Sequence, residues 1–347
     1  MAIKKASYNK DEAKALRNSA SPAAVMASEG TRFDSADDAS VFFARELDHV
    51  KAESYDVEYP EFTALNLFPV SNETDPGAET VTYYTYDKTG LAKVIDNYST
   101  DLPRADVTGK PSYAQVKSIG DSYGYSAQEM RASRMAGKSL DSRKAESARY
   151  QIDNLTNRIA WAGDENSGLM GVLSTGQNVP LYTIGNGAGN KADWASKTAD
   201  EILADVNGMQ KQVARVTKNV ERPDTLCVPS DVYMDISTRR IPDTATTVKA
   251  FLLENAPYLK DIVSAAELDA DSVDTNPYAK ATTGGKGVAF LFKNDKRKMS
   301  LENPMPFMQY PLQVKGLETV IPCEARTAGV IFYYPLSALI AVGVSVN

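Results

Sequence analysis

Between Glu79 and Tyr123 the chain spells out β-structure with almost nothing to cover it. The run Val81-Thr82-Tyr83-Tyr84-Thr85-Tyr86 is β-branched and aromatic, the composition that fits a pleated strand. A turn at Lys88-Thr89-Gly90 leads to a second short run, Leu91 to Ile95. Asp96 to Pro111 is polar and broken by Pro103, Gly109 and Pro111, and Ala114 to Tyr123 reads as a further strand. A ribbon with a long polar tip and so little apolar surface is marginal alone in water. It needs a neighbour.

The sequence around it supplies helices more clearly than strands. The first thirty residues are rich in Ala, Ser and Lys and cannot bury enough surface to offset their ordering entropy, so they read as an arm that orders against a partner. Asp34 to Val50 reads as a helix with Val41, Phe42, Ala44 and Leu47 on one side. Tyr55 to Val70, with Tyr55, Tyr59, Phe62 and Phe68 among prolines, reads as extended chain laid across another surface. Ser126 and Glu129 form a capping box, and Gly137 ends that helix. Asp141, with a Leu140–Ala145 staple, opens the longest helix, whose stripe is Ala145, Ala148, Ile152, Leu155 and Ile159. It runs to about Trp161.

Gly163 to Gly189 is loop-rich. A second capping box, Thr198 with Glu201, opens a helix with Ile202, Val206, Met209, Val213 and Val216 in register. Short elements follow: a strand at 225–228, a helical turn from Ser230, a helix at 248–255, and strands at 261–264 and 287–292. Pro311 to Val346 reads as three β segments around Arg326-Thr327 and Pro335. Strands and helices mix without regular alternation, which predicts an α+β fold.

Composition excludes several classes of function. The 347 residues are 43% hydrophobic and 24% charged, an ordinary globular balance, and carry a net charge of −7. A chain built to coat nucleic acid carries a basic excess instead. The single histidine, His49, rules out any mechanism needing two imidazoles. Cys227 and Cys323 lie far apart in apolar runs and read as reduced core residues. Neither a signal peptide nor an apolar run of about 18 residues is present, so the expectation is a soluble cytosolic product.

Each candidate for chemistry lacks a part. Gly120-Asp121-Ser122-Tyr123-Gly124 matches the nucleophile elbow of a serine hydrolase, but Ser122 needs a downstream histidine and His49 lies upstream. The glycines read as shaping a bend. Thr283-Gly284-Gly285-Lys286-Gly287 has Lys280 and Gly287 where a phosphate loop needs Gly and Ser or Thr, and reads as a hairpin turn. Gly185-Asn186-Gly187-Ala188-Gly189 lacks a surrounding βαβ unit and reads as a loop. Asp269, Asp271 and Asp274 resemble a calcium loop, but Val273 and Asp274 stand where a ligand and the turn glycine belong, leaving a solvated acidic turn. Lys293, Lys296, Arg297 and Lys298 read as a charged hairpin tip. His49 reads as a capping or interface residue. No catalytic, cofactor or metal residue is assigned, and the chain is not read as an enzyme.

The positive features are architectural, and in their order they resemble a known family. Tyr59-Pro60-Glu61-Phe62 leads to Leu67-Phe68-Pro69-Val70, then to Tyr125-Ser126-Ala127-Gln128-Glu129 and Gly137-Lys138-Ser139-Leu140-Asp141. Ala160-Trp161-Ala162-Gly163-Asp164, Gly168-Leu169-Met170-Gly171, and the run from Val320-Ile321-Pro322 to Tyr334-Pro335 follow. This series resembles the major capsid proteins of tailed bacteriophages, with the Hong Kong 97-type fold that encapsulin shells share. The nearest likeness is to a phage and prophage family long catalogued as a domain of unknown function.

The resemblance implies an N-terminal arm at 1–56 and a peripheral domain at 57–79, 124–197 and 306–347 with its spine helix at 141–161. It implies an extended E-loop at 80–123 overlapping an adjacent subunit, and an axial domain at 198–305. The implied function is self-assembly as pentamers and hexamers into an icosahedral shell around double-stranded DNA, bound without sequence specificity. Tyr83, Tyr84, Tyr86 and Tyr98 are the candidate contacts between subunits, tyrosine being enriched at interfaces. Some members cross-link an E-loop lysine; Lys88, Lys93 and Lys110 lie in the corresponding region. Scaffold, portal and decoration proteins are further implied partners, a membrane is not, and the implied location is the virion, assembled in the host bacterial cytoplasm. An encapsulin-type compartment is the alternative within the fold, and a serine hydrolase using Ser122 the alternative outside it.

Overall fold

A computed structural model of the chain describes residues 61–94, 102–136, 143–280 and 286–346, all within the unit Glu61–Asn347. The predicted arm, the helix at 34–50, His49, Tyr98, the caps at Gly137 and Asp141, and the turn at 283–285 lie outside the described residues.

The one-turn helix α1 (Ala64–Leu67) and the short strand β1 (Val70–Ser71) come first. Strands β2 (Thr80–Thr89), β3 (Asp106–Gln115) and β4 (Lys117–Ser126) precede helices α2 (Ala127–Ala136) and α3 (Arg143–Ala162). Then come β5 (Leu181–Thr183), α4 (Ala199–Val216), β6 (Thr225–Val228), α5 (Ser230–Thr238), α6 (Val248–Asn255) and β7 (Asp261–Ser264). The chain continues through β8 (Lys286–Phe292), β9 (Met299–Glu302), β10 (Met305–Gln309) and β11 (Gln313–Lys315). It closes with β12 (Glu318–Thr327), β13 (Gly329–Phe332) and β14 (Ala338–Val346).

The central element is a mixed sheet ordered β5-β14-β8-β6-β7. Its inner strands are apolar on both faces because both faces are covered. Ala289, Leu291, Leu226, Val228, Leu339 and Ala341 pack with the stripe of α4 and with α5 and α6. Val288, Phe290, Phe292, Cys227, Ala338 and Ile340 point the other way, into a cluster with Phe68, Trp161 and Phe332. The period of two along each strand does this sorting. Phe68 meets Trp161 at 4.8 Å and Phe292 at 5.9 Å, both edge to face. Cys227 and Cys323 are both free and buried, and burial pushes both thiols above their ordinary pKa.

Helix α3 lays its predicted stripe, Ala148, Ile152, Leu155 and Ile159, on Ile119 of β4 and on Cys323 and Ala325 of β12. It stops at Gly163, whose φ of +76° suits glycine; a Cβ there would lie 2.7 Å from the Leu169 carbonyl and the Gly171 nitrogen. Both capping boxes form. Glu129 accepts from Ser126 N–H at 3.0 Å while Ser126 Oγ accepts from Glu129 N–H at 3.1 Å. Thr198 and Glu201 do the same for α4. Val216, the last member of the α4 stripe, is exposed.

A buried polar hub ties the start of the unit to the rest. Asn157 of α3 donates to Glu267 Oε1 at 2.7 Å and accepts from Ala64 N–H at 3.0 Å. Thr63 Oγ1 donates to Glu267 Oε2 at 2.8 Å and accepts from the Trp161 indole at 3.3 Å. Thus Thr63 to Phe68 does not lie on a foreign surface as the sequence reading had it. It turns through α1 and plugs this chain's own core.

Two further expectations change. The C-terminal stretch holds four strands, β11 to β14, not three. Its fourth hides in the run that contains Pro322; because Ala127 N–H donates to the Leu317 carbonyl, Pro322 and Ser122 fall in an intervening pair and Pro322 turns its nitrogen away from β4, while on the other side its carbonyl accepts from Tyr310 N–H at 2.9 Å. Lys293 to Lys298 is not a hairpin tip, because β8 and β9 belong to different sheets. Its lysines reach acids of this chain: Lys293 to Asp224 at 2.7 Å, Lys298 to Glu221 at 2.6 Å and Lys296 to Glu73 at 2.9 Å.

Candidate functional site

Strands β2 and β3 form a ribbon that no other strand of the described residues joins. They pair along ten positions, from Thr80 opposite Gln115 to Thr89 opposite Asp106. The predicted strand at 91–95 is therefore absent over Leu91–Val94, and the predicted strand at 114–123 is two strands meeting near Val116. The polar stretch read as a break supplies the return strand. Its proline is tolerated for a reason the ladder shows. Val116 N–H donates to the Glu79 carbonyl at 2.9 Å, so that pair and every second pair after it exchange hydrogen bonds. Tyr84 and Pro111 fall in an intervening pair, with backbone N and C=O turned outward, so the ladder loses nothing to proline.

The same alternation divides the ribbon's side chains. Tyr84, Tyr86, Tyr113 and Val107 share one face and are 61%, 71%, 71% and 57% exposed. Tyr84 and Tyr86 stack at 6.4 Å, and Tyr86 lies over Gly109, where a Cβ would sit 2.9 Å from the ring. Tyr83 takes the opposite face and is half-buried. Its ring meets Tyr333 edge-on at 5.1 Å. Of the four sequence-predicted contacts, then, Tyr84 and Tyr86 are presented outward and Tyr83 is spent on anchoring.

That anchor was invisible in the sequence. Tyr333 Oη donates to Glu302 Oε1 at 3.2 Å and lies 2.9 Å from Ser300 Oγ, which itself donates to Glu302 at 2.8 Å. Thr74 Oγ1 reaches the other carboxylate oxygen at 3.3 Å. Burial raises the Tyr333 phenol above its ordinary pKa. Arg326 also donates to the Pro76 carbonyl just below the ribbon. From Tyr83 outward to Thr89 the ribbon extends six residues, about 20 Å at strand spacing. Beyond it Leu91, Val94 and Leu102 are exposed, and Leu91, Leu102 and Pro103 line a cavity of about 500 Å³ with Lys88 and Lys93. A second exposed apolar group, Leu312, Val314 and Leu317, surrounds the β11–β12 turn.

The chemical candidates resolve differently. Ser122 sits in the middle of β4, opposite Pro322, not on a strand-to-helix elbow, and Gly120 and Gly124 continue that strand without a bend. Gly124 instead permits close approach: a Cβ would lie 3.0 Å from the Thr319 carbonyl. Gly185 to Gly189 is loop, held partly by Ala188 N–H donating to Glu201 at 2.7 Å. Asp269 is no mere solvated turn; its carboxylate accepts from Ser230 N–H at 2.7 Å at the start of α5. Burial first, then Asp231, Asp271 and Glu267 nearby, raises it from 3.8 to about 6. Among the described residues no group of three or more His, Cys, Asp or Glu is placed to hold a metal ion. None of their helices is long and apolar enough to cross a membrane.

Comparison with known proteins agrees with an architecture whose outstanding surface is an uncovered ribbon. The family model described as "Major capsid protein" matches residues 90–344. Similar solved structures include the capsid of Myoviridae phage XM1, at 18% identity and TM-score 0.70, covering 87% of this chain and 98% of that one. A Mycobacterium phage Bobi structure follows at 14% and 0.57, covering 86% and 96%. The cyanophage Pam1 capsid asymmetric unit gives 12% and 0.55, covering 88% and 98%. No curated protein matches.

Proposed function

Because the chain belongs to the major capsid protein family of tailed bacteriophages, we propose that its copies associate as pentamers and hexamers tiling an icosahedral shell around double-stranded DNA. In this reading β2 and β3 are the E-loop, α3 is the spine of a peripheral domain at 57–79, 124–197 and 306–347, and 198–305 is the axial domain. Residues 1–56 are the arm. The observation that carries the reading is the ribbon itself: an aromatic face of Tyr84, Tyr86 and Tyr113 that is exposed among the described residues. Contiguous exposed apolar surface of this kind marks sites of association. Laid on a neighbour, it makes a heterologous contact, and repetition of one such contact around a ring closes a capsomer.

The role is structural, with no catalytic step assigned to Ser122 or to any other residue. A net charge of −7 suits a wall that confines DNA without gripping each phosphate or reading its sequence. The shell belongs to the virion and is built in the host bacterial cytoplasm, with scaffold, portal and decoration proteins as further partners. An encapsulin-type compartment shares the fold, but the family match favours a genome over a cargo enzyme.

Expression of the chain, alone and with its genomic neighbours, followed by negative-stain electron microscopy, tests this. Closed shells or capsomer rings, with nucleic acid inside the shells, are expected. Tubes, or a monomer under every condition, would overturn it. Shells of Tyr84→Ala or Tyr98→Ala that resist heat like wild type would remove those tyrosines from the contact set.

A further inference from the structure

Lys197 is a buried nucleophile that the shell reading leaves unused. Its side chain is 2% exposed and that of its partner Asp205 12%, whereas Lys293 and Lys298, which also face buried acids, stay 29% and 23% exposed. Lys197 Nζ donates to Asp205 Oδ2 at 2.6 Å and to the Gly185 carbonyl at 2.6 Å. The fully buried Trp194 donates its indole N–H to the same Oδ2 at 3.0 Å. The capping box starts α4 just after Lys197, and the stripe of Ile202, Val206 and Met209 seats that face of the helix in the core, drawing Asp205 in with it. Burial, with Glu201 adding to it, raises the Asp205 carboxyl above its ordinary 3.8 even though Lys197 and Trp194 pull it down.

We propose that Lys197 and Asp205 condense into an isopeptide bond within each subunit. In water an amine and an acid ionise apart and do not join; here both are held in contact and withdrawn from the solvent that favours the ions. A proton passed from Nζ to Oδ2 along their hydrogen bond leaves a neutral amine beside a neutral carboxyl. A desolvated lysine amine is a competent nucleophile, and its target, Asp205 Cγ, is one bond beyond Oδ2. Nζ attacks Cγ, a second proton follows from Nζ to Oδ2, and the Cγ–Oδ2 bond breaks. Oδ2 departs as water, with the Trp194 N–H donating to it, and nothing is oxidised or reduced. The one hydrogen left on Nζ keeps its bond to the Gly185 carbonyl, and no charge of the pair remains buried. The link ties the loop after β5 to α4, and it involves none of the E-loop lysines.

Mass spectrometry of the denatured full-length chain tests this, on subunits or shells alike, so its result does not depend on the shell reading. Trypsin is expected to cut after Lys191 and Lys211 but not after Lys197, giving one peptide, 192–211, that is lighter than its sequence by one water. Lys197→Arg keeps the positive charge but does not condense, and is expected to restore the full mass and cleavage at position 197. A wild-type chain of full mass that is cut at Lys197 would overturn the proposal and leave a plain ion pair. A lost water that persists in Lys197→Arg, or that maps outside 192–211, would overturn it too.

Discussion

Strands β2 and β8 are written in similar residues and meet opposite fates. Val81 to Tyr86, with three tyrosines, and Val288 to Phe292, with two phenylalanines, both open on valine and are rich in aromatic side chains. In β8, alternate residues enter two covered faces, and Phe290 is fully buried between Phe68, Phe292 and Phe332. In β2 one face anchors through Tyr83 on Tyr333, and the other leaves Tyr84 and Tyr86 in water. The central sheet is stabilised within the subunit. The ribbon holds its hydrophobic surface in reserve, so its stabilisation is expected from association.

Substitutions can break this contrast or sharpen it. The largest effect is expected from Phe290→Ala, which empties a site with no solvent access and costs the isolated subunit about 3–5 kcal/mol in urea unfolding. A loss below about 1 kcal/mol would mean that this core is not what holds the subunit together. Asn157→Ala is expected to cost about 1–3 kcal/mol, because Glu267 loses a donor and Ala64 N–H an acceptor inside the protein.

A pH effect comes next and belongs to the sheet block. Asp269 has an ordinary value of 3.8 and a folded value of about 6. Between these values the folded subunit keeps a proton that the unfolded chain has released. Its stability is therefore fully present below about pH 4, declines as pH rises to about 6 and levels off above that. Asp269→Asn is expected to remove that decline, as read by subunit melting temperature from pH 4 to 7. A parallel decline in the variant would assign it to other groups.

The smallest effect on the subunit is expected at the ribbon. Tyr84→Ala with Tyr86→Ala is expected to leave subunit stability within about 0.5 kcal/mol, as exposed substitutions do, while lowering the melting temperature of assembled shells. A subunit destabilised as much as by Phe290→Ala would collapse the distinction between the two regions.

Several parts of this molecule were legible because their causes are local. The capping boxes at Ser126 and Thr198, the stripe of α3, helix α6 at 248–255 and strands β6 and β7 rest on hydrogen bonds and periodicities spanning a few residues. The return strand β3 was not legible, because Gly109 and Pro111 read as breakers. They are harmless only once the register turns Pro111 away from β2. Pro322 repeats the lesson in β12, where the register turns its nitrogen away from β4. Of the candidate contacts, the choice of tyrosine was open to the sequence. Which face each would take was not, since that depends on Tyr333 and Glu302, more than two hundred residues further along the chain.

The sequence by itself determined the capping boxes that open α2 and α4, the apolar stripe of α3, and the bounds of β6, β7 and α6. Tertiary structure alone decided which aromatic run lies inside and which is left to solvent. The physical reason is that a strand's pattern states what it can bury, whereas the partner that buries it is set by distant elements, or by another copy of the chain.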